Sequence, residues 1–199
     1  MIILGLNHGE INSSSAILKN GKILAGTPEE RFTRNKKTKS FPKNSVQYCL
    51  KEANISLKDC DYIAQAWNPG EYWKKFNPLF SSKRIKREDY FYTVTDNLYD
   101  FTQRKTPLWT VLDSEVDEMP PIYFVRHHLT HAANAFFLSP FDDAAILTCD
   151  HRGEFQTTTL GTGKNLDIEI FSEQTMPHSL GLFYSAFTEL LGYRADNDE

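Results

Sequence analysis

No stretch of the sequence comes near the run of about 18 apolar residues that a membrane-spanning helix needs, and mean hydropathy is −0.47. There are only three cysteines, Cys49, Cys60 and Cys149, an odd number without C-x-x-C spacing, which disfavours a disulfide framework and a cysteine zinc site alike. G-x-x-x-x-G-K-[ST], G-x-G-x-x-G and G-x-S-x-G are all missing, so P-loop, dinucleotide-binding and serine-hydrolase readings have no support. Positive charge is not in excess: 22 Lys and Arg face 26 Asp and Glu, for a net charge of −4. With a pI near 5.9 the chain does not read as a general nucleic-acid binder. The opening MIILGLNHGEINSSS has no basic n-region, and its first apolar run is too short for a secretory h-region, so the expected compartment is the cytoplasm.

What the sequence does contain is enough apolar material, 40% of 199 residues, for one domain or a small domain pair. Its charge is unevenly placed. Arg31, Arg34, Lys36, Lys37, Lys39 and Lys43 form a basic run with no acid between them, whereas from Pro140 to Glu199 acids outnumber bases. The basic run reads either as a solvated loop or as an anion-binding stretch.

Hydrophobic alternation predicts strands over Ile2–Asn7, Ser14–Lys19 and Lys22–Gly26. Asn20-Gly21 lies between the last two, where a type I′ turn demands positive φ at both central residues. From Asn44 the spacing turns helical, with Val46, Cys49, Leu50 and Ala53 on one face, and Asp61–Trp67 is again strand-like. Residues 69–120 are aromatic, charged and irregular, and read as an inserted helical segment. Alternation then resumes with strands over Ile122–Val125, Ala144–Asp150, Phe155–Gly161 and Ile168–Phe171, and helices over His127–Leu138 and Leu180–Leu191. Strand hairpins followed by crossover helices predict a mixed α/β fold, and the hairpins at 2–26 and 144–171 look like related units. ELLGYRADNDE ends a helix without a closing strand, which predicts a boundary cut from a longer protein.

Chemistry concentrates in His127-His128-Leu129-Thr130-His131. Residues i and i+4 of a helix are neighbours, so His127 and His131 can converge on one metal ion as half a site; a chance pair on an exposed helix face is the alternative. Asp150, ending the apolar strand AAILTCD, is placed to complete the site, because strand ends in α/β sheets open into the ligand crevice. His128 points elsewhere and reads as a supporting or packing residue. Asn12-Ser13-Ser14-Ser15 between two strands reads as an anion cradle or as an ordinary hydroxyl-rich turn.

Several separated segments resemble one family. ILGLN…SSSAILKNGKILAGTPEERFTRNKK…FP is similar to the start of NodU/CmcH-type O-carbamoyltransferases. VRHHLTHAANAFFLSPFDDAAILTCDHRGE with PHSLGLFYSAFTELLGY resembles the next segments of that family, in the same order. The resemblance implies an actin-like ATPase (ribonuclease H-like) fold with a mixed sheet, crossover helices and a helical insertion. Residues 1–199 would be its N-terminal portion, the remainder and a YrdC-like domain lying beyond. It implies a two-stage reaction: carbamoyl phosphate and ATP yield a carbamoyl-adenylate, and the carbamoyl group passes to a hydroxyl of a small acceptor. It also implies a divalent metal, Fe(2+), held by His127, His131 and Asp150, and ATP with Mg(2+) in the full-length protein. Arg31, Arg34 and Lys36 become candidates for binding the anionic donor, with Asn12 and Ser13 beside them. His8 and Glu154 are the candidate catalytic groups, with His131 a further general-base candidate. A tRNA threonylcarbamoyl transferase-like protein and a non-catalytic binding or assembly module are the rival readings. The isolated piece is expected to fold, to be inactive, and to self-associate through surface left uncovered.

Overall fold

The computed structural model describes residues 1–9, 12–68, 71, 120–195 and 198. The expected helical insertion therefore falls outside the described residues, apart from Glu71 and Pro120. Contacts divide the chain into two units, Met1–Val125 and Arg126–Glu199.

The first unit is built on a five-stranded sheet of order β3-β2-β1-β4-β5. Its strands are β1 (Ile2–Asn7), β2 (Ser14–Lys19), β3 (Lys22–Pro28), β4 (Tyr62–Gln65) and β5 (Ile122–Phe124). β1 and β2 pair antiparallel without a break from Ile2↔Lys19 to Asn7↔Ser14. Asn20 and Gly21 turn the chain into β3 with φ of 50° and 78°, the mirror-image turn their sequence predicts. β4 adds to β1, and β5 to β4, in parallel. The buried side of the sheet carries Leu4, Leu6, Ile17 and Ile63, and helix α2 (Lys43–Glu52) lays Val46, Cys49 and Leu50 against β2 and β3. A one-turn helix α1 (Glu30–Thr33), which periodicity does not reveal, precedes α2.

The second unit starts with helix α3 (His127–Phe137). Next comes an antiparallel meander of β6 (Asp143–Cys149), β7 (Gln156–Lys164) and β8 (Asp167–Thr175), and helix α4 (Leu180–Leu190) is last. α3 packs Ala132 and Phe136 on Ile146, with Ala144, Ile168 and Ile170 around them. Both units thus contain a three-stranded antiparallel meander, and the mixed α/β class expected from the sequence is what the chain adopts. Among the described residues no helix is long and apolar enough to cross a membrane.

Candidate metal centre

Helical geometry puts His127 and His131 one turn apart at the start of α3, and the end of β6 delivers Asp150 to the same place. His127 Nε2 lies 2.8 Å from Asp150 Oδ2, His131 Nε2 lies 3.0 Å from His127 Nε2, and His131 Nε2 lies 3.2 Å from Asp150 Oδ2. Three donor atoms therefore form a nearly equilateral triangle. Donors about 2.1 Å from one cation stand about 3.0 Å apart if they meet at right angles and about 3.4 Å apart if tetrahedral. The observed edges fit one face of an octahedral site, and two imidazoles with one carboxylate are the ligand set that handles a divalent transition metal in that arrangement. Burial alone would favour the neutral form of Asp150, but hydrogen bonding with His127, His131 and the His151 main-chain N–H outweighs it and holds the carboxyl well below the usual range. The site keeps its anion.

The surroundings fix these groups. His128, buried, donates from Nε2 to the Gln156 carbonyl, which can only accept; Nδ1 must then accept from the Thr148 hydroxyl, at 3.0 and 2.6 Å. The Thr159 hydroxyl closes the chain on Thr148 at 2.6 Å. Burial, then the neighbouring His127, push the His128 pKa down and keep it neutral. Ser179 caps α4 by accepting the Leu182 N–H and donates to the His151 carbonyl at 2.7 Å, so α4 begins against the turn that carries Asp150. Gly181 makes that approach possible, because a Cβ there would stand 2.4 Å from the His151 Cα.

Glu154, a candidate catalytic group, is 4% exposed, and both its carboxylate oxygens lie 3.1 Å from the His127 main-chain nitrogen, accepting its N–H. His8 lies in the first unit with its ring wholly buried, edge-on to Phe41, both ring nitrogens without a hydrogen-bond partner among the described residues, and its pKa pushed down by burial to about 4. Asn12 and Ser13 do lie together, lining a cavity of about 260 Å³ with Pro28, Glu30, Lys37 and Thr38. Arg31, Arg34 and Lys36 are exposed and are not among its lining residues. Among the described residues the cation that lines the cavity is Lys37, whose left-handed backbone, φ 56°, sets it apart from Lys36.

Sequence reasoning missed Glu29. It is 3% exposed; its Oε1 accepts from the Asn44 main-chain N–H at 3.2 Å and from Asn44 Nδ2 at 2.6 Å, and its Oε2 accepts from the Ser45 N–H at 2.8 Å. The first glutamate of EERFTR is thus the cap of α2, whose own N-cap residue, Pro42, supplies none. The signal available in the sequence was an acid upstream of a helix with no capping residue of its own.

The chain is 40% identical over 212 residues to an uncharacterised protein of Synechocystis sp., covering 99% of this chain and 33% of that protein. It is 30% identical over 185 residues to nodulation protein NolNO of Sinorhizobium fredii, covering 92% of this chain and 25% of that protein. It therefore spans a third or less of the length of these curated relatives. Among solved structures, YeaZ from Pseudomonas aeruginosa superposes with a TM-score of 0.45 at 16% identity, over 88% of this chain and 67% of that one. The carbamoyltransferase N-terminus family matches residues 2–199, and the chain belongs to it.

Proposed function

We propose that the chain is the N-terminal part of an ATP-dependent O-carbamoyltransferase with an actin-like fold, in which carbamoyl phosphate, ATP and water give a carbamoyl-adenylate with release of phosphate and pyrophosphate, and a hydroxyl of a small acceptor then takes the carbamoyl group as AMP leaves. The observation that carries this reading is the meeting of His127, His131 and Asp150, within the segments through which the family resemblance runs, as a compact N, N, O donor face.

In this reading those three side chains hold a divalent cation, with iron favoured by the two-imidazole, one-carboxylate set. Such an ion supplies positive charge where phosphoryl or carbonyl oxygens become more negative. The chain's own residues do the rest. Asn12 and Lys37 offer an amide and an ammonium to an anionic donor at the 260 Å³ cavity, beside the acid Glu30, while the buried Ser13 hydroxyl donates to the Thr38 and Ser40 carbonyls and shapes the wall. Arg31, Arg34 and Lys36, exposed nearby in sequence, add long-range attraction that salt screens. The acceptor hydroxyl must lose its proton as its oxygen forms the new bond to the carbamoyl carbon. His8 and Glu154 remain the candidates to take it, although both are buried in this state.

The test is turnover by the longer protein supplied with carbamoyl phosphate, ATP and a panel of polyols, following AMP and pyrophosphate by phosphorus NMR. AMP released in step with carbamoylated product supports the reading. Carbamoyl transfer without ATP cleavage, or ATP cleavage indifferent to carbamoyl phosphate, sinks it. In the same assay Lys37→Ala should raise the apparent KM for carbamoyl phosphate more than Arg31→Ala or Lys36→Ala does.

A further inference from the structure

We propose that Glu154 is a positioning residue that holds the start of α3 in register with the turn bearing Asp150, and so sets the donor triangle before any ion arrives. The inference rests on the metal reading above and goes beyond it by assigning what fixes the ligands.

The triangle is assembled from two segments that meet end to end. α3 contributes the two imidazoles, and the turn after β6 contributes the carboxylate. The relative placement of the segments must be held to about half an ångström for three donors to share one ion. α3 has no side-chain cap of its own, since its N-cap residue is Arg126. Its first N–H groups have no partners within the helix, and His127, the first helical residue, is where fraying would start. Glu154 meets that need. Both oxygens accept from the His127 N–H, and a buried carboxylate at a helix N-terminus is favoured by the helix dipole as well as by the hydrogen bond.

Sequence position makes the arrangement economical. Asp150 and Glu154 lie on one tight turn, closed by Asp150 N–H to the Thr157 carbonyl and by Gly153 N–H to the Gln156 carbonyl. One short segment therefore carries a ligand at one end and, at the other, the group that locates the helix bearing the remaining two. The turn also lies flat on the helix: a Cβ on Gly153 would stand 2.8 Å from His128 Cδ2 and 3.3 Å from His127 Cβ. His128, gripped between Thr148 and Gln156, makes a second attachment one residue along, and Arg126 pairs with Glu173 at 2.9 Å one residue before; Glu154 is the attachment that holds the main chain of the first helical residue.

The experiment titrates cobalt(II) into the 199-residue chain, reading its d–d absorption, and records imidazole nitrogen–proton NMR correlations of the metal-free protein. Glu154→Ala should shift the His127 and His131 ring resonances without metal and raise the cobalt dissociation constant tenfold or more, the scale on which ligand-orienting partners act. Glu154→Gln, which keeps an acceptor for the N–H but cannot serve as a base, should stay within threefold of the parent. Unchanged ring resonances and an affinity within threefold for Glu154→Ala overturn the proposal, as does a Glu154→Gln variant as impaired as Glu154→Ala. If Glu154→Ala does not fold, Glu154→Asp, with its carboxylate withdrawn by one methylene, is read in its place by the same criteria. A parent chain that binds no cobalt refutes the metal reading instead, and the metal-free resonances then decide the positioning role alone.

Discussion

Asp150 Oδ2 stands 2.8 Å from His127 Nε2, although one residue follows the end of β6 and the other opens α3. A ligand set split between two elements depends both on each side chain and on how the two segments are held together.

The parent chain is expected to bind one divalent ion, and His131→Ala to lose at least tenfold in affinity. Elemental analysis of a His131→Ala sample that retains full occupancy would refute the assignment. With the free ion at 100 times its dissociation constant the fold gains about 2.7 kcal/mol. Chelation should therefore lower the urea midpoint of the parent and leave that of Asp150→Asn where it was.

His8 makes stability depend on pH. Its folded pKa, pushed by burial to about 4, is below the unfolded value near 6.5, so as pH falls the unfolded chain takes up the proton first. The stability His8 contributes is whole above about pH 6.5, drains away toward about pH 4 and is flat below that. Between pH 7.5 and pH 5 the parent should lose about 2 kcal/mol more than His8→Leu does. Parallel pH profiles in urea melts would show that the imidazole is solvated.

Glu29→Ala should cost about 3 kcal/mol, because it leaves the Asn44 and Ser45 amides at the start of α2 without their acceptor in a buried setting. Glu29→Gln keeps one acceptor oxygen and should cost less than half of that. Equal losses would mean that charge, not capping geometry, is what α2 requires.

Gly181→Ala sets two effects against each other. Alanine is worth about 1 kcal/mol over glycine inside a helix, but the added Cβ meets His151 main-chain atoms at 2.4 and 2.6 Å, which no side-chain rotation relieves. Overpacking of this kind costs about 1–3 kcal/mol, so the variant should be less stable and, with the Asp150 turn displaced, weaker in cobalt binding. A more stable Gly181→Ala would show that α4 moves freely against that turn.

Elements with strong alternation and a defined turn were legible in the sequence almost to the residue: β1, β2 and the Asn20-Gly21 turn have the expected limits. β7 and β8 run longer than expected, to Lys164 and from Asp167 to Thr175. Gly161-Thr162-Gly163 and the polar end of β8 after Phe171 offer no apolar alternation, while pairing such as Gly163↔Ile168 and Thr158↔Gln174 needs only main-chain groups. The same division runs through the site. His127 and His131 are legible because an i, i+4 pair on a helix is local geometry, and Asp150 because strand ends are. Glu29 and Glu154 act on helices at residues 44–45 and 127, and nothing local announces which remote amide a buried carboxylate will meet. The choice of Lys37 over Lys36 at the cavity turns on one left-handed residue within a run of lysines, which composition cannot resolve.

The parallel pairing of β4 with β5 has a consequence for how such chains diversify. Residues 66–121 join two neighbouring strands registered at Ile63↔Ile122, a connection that a crossover of about a dozen residues would complete. By chain statistics, each doubling of the length of a connection between fixed ends costs only about 0.6 kcal/mol in closure entropy. Sequence can accumulate or be lost between these two strands almost without thermodynamic penalty to the sheet. It is therefore a place in this unit where related chains are free to differ in size while keeping the β1–β4–β5 register intact.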